Sequence, residues 1–287
     1  METNKYLDAI KEHSFKLENE EVTKKLDQIF AKKLQENNTT AVKKMMYSCI
    51  DLTSLNTTDT RESVWQFVQN VNDFEGSYSD IPNVAAICVY PIFAKTVKEA
   101  LTADVKIACV SGGFPHSQTF IESKIAETAL AVHDGADEID IVLNLGLFLN
   151  AEYEELCEEI DEIKEACHEA HLKVILETGA LKNVQKIHDA AILSIYSGAD
   201  FIKTSTGKVY EGASPEAAYA MCNAIKSYYG KTGKKIGFKV SGGVSTVEDA
   251  LKYYTIVKEV LGEEWCTPEY FRIGASRLAN KLLEEIK

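Results

Sequence analysis

The sequence predicts an α/β chain folded as a closed (β/α)8 TIM barrel with an N-terminal helical extension. Eight short apolar segments recur along the chain, stretches of helical period separate them, and no GxGxxG fingerprint follows the first. The alternative with the same alternation is an open, doubly wound sheet. The count of eight and the missing fingerprint favour closure. The motif Gly-Ala-Asp precedes two of the segments, DGADEIDIV (134–142) and SGADFIKTS (197–205), as a repeated βα unit requires. Gly135 and Gly198 would each end a helix in the left-handed conformation.

Taken in order, residues 1–44 form the extension. Val22, Leu26, Ile29, Phe30 and Leu34 recur at helical spacing across 16–37, and the polar run QENNTT closes that helix. The barrel spans 45–287. Its strand candidates are MMYSCID (45–51), VAAICVY (84–90), KIACV (106–110), EIDIVLN (138–144), KVILETG (173–179), DFIKTST (200–206), KIGFKVSGG (235–243) and YFRIGAS (270–276). The clearest helical stretches between them are 117–135, 152–170, 183–198 and 214–229.

Bulk properties narrow the function. A net charge of −13 with no basic run argues against nucleic acid and against an anionic membrane as partners. An anionic ligand would need a local site built against that field. Seven cysteines, an odd number with no CxxC, read as reduced thiols in a cytoplasmic protein. The charged N-terminus lacks the apolar core of a signal peptide. No apolar run reaches the roughly 18 residues of a membrane span. A homodimer is compatible with the sequence, which does not itself report an assembly.

Barrel chemistry sits at the C-terminal ends of the strands. That rule selects Asp51, Cys88, Asp140, Asn144, Glu177, Lys203, Lys239 and the turns after strands seven and eight. Side chains alternate along a strand, so Lys203, between Ile202 and Thr204, points into the mouth. Lys239 and Asp140 lie between apolar neighbours in the same way. A buried ion-pair network is the plain reading. The chemical reading is that two close, partly desolvated ammonium groups disfavour their charged forms, which leaves one amine neutral and nucleophilic. Such an amine forms an imine, an electron sink for the neighbouring C–C bond, and Asp140 can move protons through water.

Small residues after strands seven and eight, Gly242, Gly243, Gly274 and Ser276, suit a phosphate held by backbone N–H groups at a helix N-terminus. Gly207 and Lys208 could close a third side. The alternative is that these glycines only make tight turns. Together the two halves describe a Schiff-base aldolase for a phosphorylated sugar.

The stretches DLTSLN (51–56), AAICVYP (85–91), FPH (114–116), GADEIDIV (135–142), GADFIKTSTGK (198–208), GFKVSGG (237–243) and FRIGAS (271–276) stand in the order seen in the deoxyribose-phosphate aldolase family, which the chain resembles from about Met45 onward. The resemblance implies reversible cleavage of 2-deoxy-D-ribose 5-phosphate to D-glyceraldehyde 3-phosphate and acetaldehyde, with no cofactor and no metal. It implies Lys203 as the imine-forming lysine, Lys239 as its partner, Asp140 as the proton shuttle, and Asp51, Cys88 and Thr206 in the substrate pocket. Gly207, Lys208, Gly242, Gly243, Gly274 and Ser276 match phosphate-binding positions. Two departures stand out. Ser245 replaces an arginine common after the glycine pair, with Arg277 a candidate substitute, and the C-terminal tyrosine tail of some bacterial members is missing.

Other features read as structural. His168 and His171, taken as three apart on one helix, and the acidic run 151–166 fit a solvated helix face. His116 reads as a loop residue that could reach substrate. Glu177 reads as an ion-pair partner of a mouth lysine or as a catalytic group. Two other functions remain open at this point, an imine-forming lyase for ketose phosphates and a non-catalytic barrel that binds phosphorylated metabolites.

Overall fold

The computed structural model describes residues 5–16, 18–78 and 80–286. Eight parallel strands close into a barrel in sequence order. They are β1 (Ile50–Thr53), β2 (Ala86–Val89), β3 (Lys106–Val110), β4 (Glu138–Val142), β5 (His171–Ile175), β6 (Phe201–Lys203), β7 (Gly237–Ser241) and β8 (Phe271–Ala275). Closure is made by β1 and β8, with Asp51 opposite Gly274.

Alternation along each strand sorts the residues into two environments. Ile50, Ile87, Ile139, Ile141, Leu172, Val174, Ile202, Phe238 and Ile273 face outward into one continuous core with the helices. The inward positions carry the charged residues, together with a small separate apolar group of Leu55, Ala86, Cys88, Ala108 and Val110. Toward the N-terminal end of the strands Phe201 fills the bore. A Cβ on Gly237 would meet its ring at 2.2 Å, so only glycine fits opposite it.

The sequence places the first strand too early. Met45–Ser48 belong to a helix, and β1 begins at Ile50. The cause is local. Thr39 caps the helix by accepting from the Val42 N–H, and TAVKKMMYS then buries Met46 and Tyr47 on one face. The boundary drawn at residue 45 therefore cuts through a helix. The extension also holds more than one helix. α1 (Lys5–Glu12), α2 (Asn19–Asn37) and α3 (Thr40–Ser48) follow one another. Val22 and Leu26 of α2 are buried, and α2 packs on the helices Pro215–Thr232 and Val247–Leu261. His168 and His171 do not share a helix. The helix Tyr153–Cys167 ends before His168, and His171 opens β5.

α1 packs against the helix Val184–Tyr196, and the segment after it is fastened by His13. The His13 ring meets Ser227 Oγ at 2.8 Å through Nδ1 and the Tyr196 hydroxyl at 2.7 Å through Nε2. Phe15 stacks on His188 with ring centroids 4.9 Å apart. Burial pushes the His13 pKa down, and Lys231 adds to this while Glu12 opposes it. The docked segment therefore favours neutral His13, and the undocked one takes up a proton first as pH falls. Docking is expected to be complete above the ordinary histidine value, about 6.5, and to weaken below it. Hydrogen exchange of Lys5–Glu12 at about pH 5 and about pH 8, corrected for intrinsic rates, checks this. His13→Phe is expected to remove the pH dependence.

Candidate active site

Asp140, on β4, is fully buried and holds three ammonium groups. Its Oδ2 accepts from Lys203 Nζ at 2.9 Å and from Lys239 Nζ at 2.8 Å. Its Oδ1 accepts from Lys173 Nζ at 2.9 Å. The strands position these groups through their register. Lys203 lies opposite Lys239 across β6 and β7, and Asp140 lies opposite Lys173 across β4 and β5.

A second tier lies behind these groups. Lys239 also meets Asp51 Oδ2 at 2.5 Å, and Lys173 meets Glu138 Oε2 at 2.5 Å. Arg272 of β8 donates to Asp51 at 2.7 Å and to both oxygens of Glu138, at 2.8 and 3.0 Å. Lys173, Lys203, Lys239 and Arg272 therefore face Asp51, Glu138 and Asp140. Within this cluster one cation is in excess.

The excess is unevenly shared. Burial lowers the pKa of all three lysines. For Lys239 the attraction of Asp140 and Asp51 outweighs burial, and its pKa ends above the ordinary lysine value. Lys173, against Asp140 and Glu138, also ends high. Lys203 has Asp140 alone as a carboxylate partner among the described residues, and Lys239 repels its charge. Burial prevails there, and the Lys203 pKa falls below the ordinary value. Asp140 is itself pushed up by burial, but the three lysines more than reverse this and hold its carboxyl well below the usual range. Of the three lysines, the one favoured as a free amine is Lys203.

The mouth above Lys203 has one apolar side and one built from turns. Cys88 packs with Leu55, Ala86, Ala108 and Val110, and burial raises its thiol pKa. Thr204 and Ser241 join the turns after β6 and β7, since the Thr204 hydroxyl donates to Ser241 O and accepts from Ser241 N, both at 2.9 Å. This seats Gly207 against Gly242. Gly242 has a φ of +85°, and a Cβ there would lie 3.0 Å from Gly212 Cα and 3.2 Å from Ser205 Cβ. Gly274 packs on Ser241 and Lys239, so the β8 turn reaches the same place. Gly243 and Ser276 are exposed. The Lys208 ammonium donates to the Leu55 carbonyl in the loop after β1. His116 and Arg277 are exposed, and Asn144 caps a short helix by accepting from Leu147 N. Glu177 makes no lysine ion pair among the described residues, and its carboxylate receives Thr206.

A surface depression of about 990 Å³ opens at the opposite end of the barrel, lined by Glu138, Arg272, Asp137, His171 and Glu269. Neither Lys203 nor Lys239 lines it.

Residues 45–276 match the family described as DeoC/LacD family aldolase. The chain belongs to that aldolase family. A deoxyribose-phosphate aldolase of Bos taurus is 39% identical over 250 residues, covering 83% of this chain and 79% of the relative. The deoxyribose-phosphate aldolase of Homo sapiens is 44% identical over 205 residues, covering 70% of this chain and 64% of the relative. Among solved structures, a tetrameric deoxyribose phosphate aldolase from Aeropyrum pernix superposes with a TM-score of 0.68 at 25% identity, covering 88% of this chain and 95% of that one. An aldolase designated QR15 gives 0.68 at 29% identity, covering 84% and 96%.

In this aldolase the sequence reading missed Lys173, Glu138 and Arg272. A usable signal was present. Glu138 stands two residues before Asp140, and Arg272 two before Gly274, each on the same inward face. Also missed was Lys281, whose ammonium donates to Ser245 O at 2.8 Å and brings a cation to the turn that lacks the arginine.

Lys239→Met is expected to raise the Lys203 pKa, because it removes a repelling charge and leaves Asp140 more fully to Lys203. The pH profile of reductive trapping at Lys203 then moves to higher pH, read by mass spectrometry of the labelled peptide. Arg272→Met leaves Asp51 and Glu138 short of a buried counter-charge and is expected to cost about 3–5 kcal/mol in urea unfolding.

Proposed function

We propose that this aldolase cleaves 2-deoxy-D-ribose 5-phosphate reversibly to D-glyceraldehyde 3-phosphate and acetaldehyde, through a Schiff base on Lys203. The observation that carries the assignment of the lysine is the uneven ion balance. Lys203 has one carboxylate partner and a lowered pKa, whereas Lys239 and Lys173 have raised ones. The names of the relatives carry the assignment of the sugar.

The free amine of Lys203 attacks C1 of the open-chain sugar and gives a carbinolamine. Loss of water leaves the protonated imine. The C3 hydroxyl then gives up its proton, the C2–C3 bond breaks, and its electron pair moves into the imine to form an enamine. Glyceraldehyde 3-phosphate departs as C3 becomes a carbonyl. Protonation of the enamine at C2 and hydrolysis release acetaldehyde and restore the amine. Asp140, adjacent to Lys203, is placed to pass protons through water to the carbinolamine oxygen and the C3 oxygen. Lys239 stays charged and stabilises the ionised Asp140, and Asp51 holds Lys239 in place. The apolar side with Cys88 suits the acetaldehyde-derived carbons.

The phosphate is assigned to the turns of Gly207, Gly242, Gly243, Gly274 and Ser276. Lys208 would leave the Leu55 carbonyl to meet it, and Lys281 adds positive charge nearby. A reducing, cytoplasmic setting fits the seven cysteines, all unpaired and buried.

Incubation with acetaldehyde and borohydride is expected to label Lys203. Labelling by dihydroxyacetone phosphate in its place would point to a ketose donor, and no labelled lysine to a binding protein. Lys203→Leu is expected to lower cleavage at least about 10⁴-fold with an unchanged circular dichroism spectrum. Retained turnover in that variant would exclude Lys203 as the nucleophile.

A further inference from the structure

Glu177 is a buried carboxylate that the reaction above leaves unused. It follows β5 in the left-handed region, at φ +51°, a conformation uncommon for glutamate and held only where surroundings over-determine it. The surroundings do so. Leu176 N donates to Lys203 O and Thr178 N donates to Thr204 O, each at 2.9 Å, so the backbone on both sides of Glu177 is tied to β6 and its turn. Gly179, two residues on, lies so close to that turn that a Cβ would stand 2.2 Å from Glu211 O.

Both carboxylate oxygens of Glu177 serve one residue. Oε1 accepts from Thr206 N at 3.1 Å, and Oε2 accepts from Thr206 Oγ1 at 2.5 Å. No Lys, Arg or His pairs with Glu177 among the described residues, although it is only 1% exposed. A buried carboxylate without a cation is costly, and here its contacts orient a threonine.

The consequence lies in the hydroxyl. Thr206 has one O–H proton and two lone pairs. The proton is committed to Glu177, and one lone pair receives Lys208 N at 3.1 Å. What remains for a ligand is a single acceptor. We propose that Glu177 is a positioning residue that fixes the polarity of the Thr206 hydroxyl, so that Thr206 accepts a hydrogen bond from a hydroxyl of the sugar. This rests on the assignment of Thr206 to the sugar pocket and specifies what that pocket selects, an acceptor aldehyde bearing a hydroxyl donor.

Glu177→Gln tests it with almost no change of shape. A carboxamide has one oxygen where the carboxylate has two, so it cannot repeat the contact in which each oxygen receives one Thr206 donor. When its NH2 faces Oγ1, the Thr206 proton is released toward the ligand, and the sugar hydroxyl keeps that contact only by turning to accept, which leaves its own proton without the Thr206 acceptor. The measurement is kcat/KM for condensation of acetaldehyde with two acceptors, D-glyceraldehyde 3-phosphate and 3-phosphooxypropanal, which lacks the 2-hydroxyl. Glu177→Gln is expected to lower the ratio between them at least about tenfold, mainly through KM for the hydroxylated acceptor. In a Thr206→Val background the same substitution should change the ratio little, because the two residues act as one unit.

Equal losses on both acceptors, or a ratio like that of the unaltered enzyme, would overturn the proposal, since a purely structural role moves both alike. A full effect of Glu177→Gln on the ratio in the Thr206→Val background would overturn it too. Should Glu177→Gln fail to fold, Thr206→Val carries the test alone, and an unchanged ratio there sinks the idea. An unaltered enzyme that labels no lysine with acetaldehyde overturns the aldolase reaction itself. One that turns over normally, while Glu177→Gln keeps the ratio, overturns only the role of Glu177.

Discussion

The site depends on one oxygen atom. Asp140 Oδ2 is shared by Lys203 and Lys239, at 2.9 and 2.8 Å, and all three side chains are buried in the barrel. Removing these charges from water costs several kcal/mol per ion, and good geometry with further partners is what offsets it. Lys173, Asp51, Glu138 and Arg272 are those partners. Because carboxylates are fewer than cations in the cluster, some ammonium must be under-compensated, and strand register decides which. Lys239 reaches two carboxylates and Lys203 reaches one. In the proposed mechanism the buried ion network and the reactive amine are therefore one arrangement, seen first as electrostatics and then as chemistry.

Much of this was legible in the sequence, and the reasons differ by residue. Lys203, Lys239 and Asp140 each interrupt an apolar run, so alternation alone sends them inward. Lys173 follows His171 and Leu172 at a strand start, and Arg272 follows Tyr270 and Phe271, where a charge looks like the solvated edge of a strand. Their partners stand far off in the chain, and no local pattern connects Arg272 to Glu138 or Asp51. Periodicity also could not show which lysine is favoured as the free amine, because that depends on counting carboxylates in three dimensions. The first strand was misplaced because MMYS is apolar enough for either element, and the deciding signal, the Thr39 cap, lies six residues upstream of Met45. His168 and His171 were read as one helix turn because the helix end carries no glycine or proline there.

The two halves of the mouth are made by different means. The amine end is set by charges on rigid strands, whereas the proposed phosphate end is set by turns whose close approach requires glycine. Gly242 cannot gain a side chain without pressing on Gly212 and Ser205, and that same tightness joins the β6 and β7 turns. Thr204 and Ser241 cross-link those turns, and Glu177 braces them from the β5 side. Geometry at one end thus reaches the other through hydrogen-bonded backbone.

The contact between Arg272 and Asp51 spans 221 positions of sequence. During ribosomal synthesis Asp51 is made long before its guanidinium partner. At about 5–20 residues per second, that interval is on the order of 10–40 s. Until Arg272 arrives, Asp51 and, once β4 is made, Glu138 lack the guanidinium that bridges them in the finished barrel. The electrostatic interior is completed only by the last strand, which makes the order of translation part of how the charges become buried.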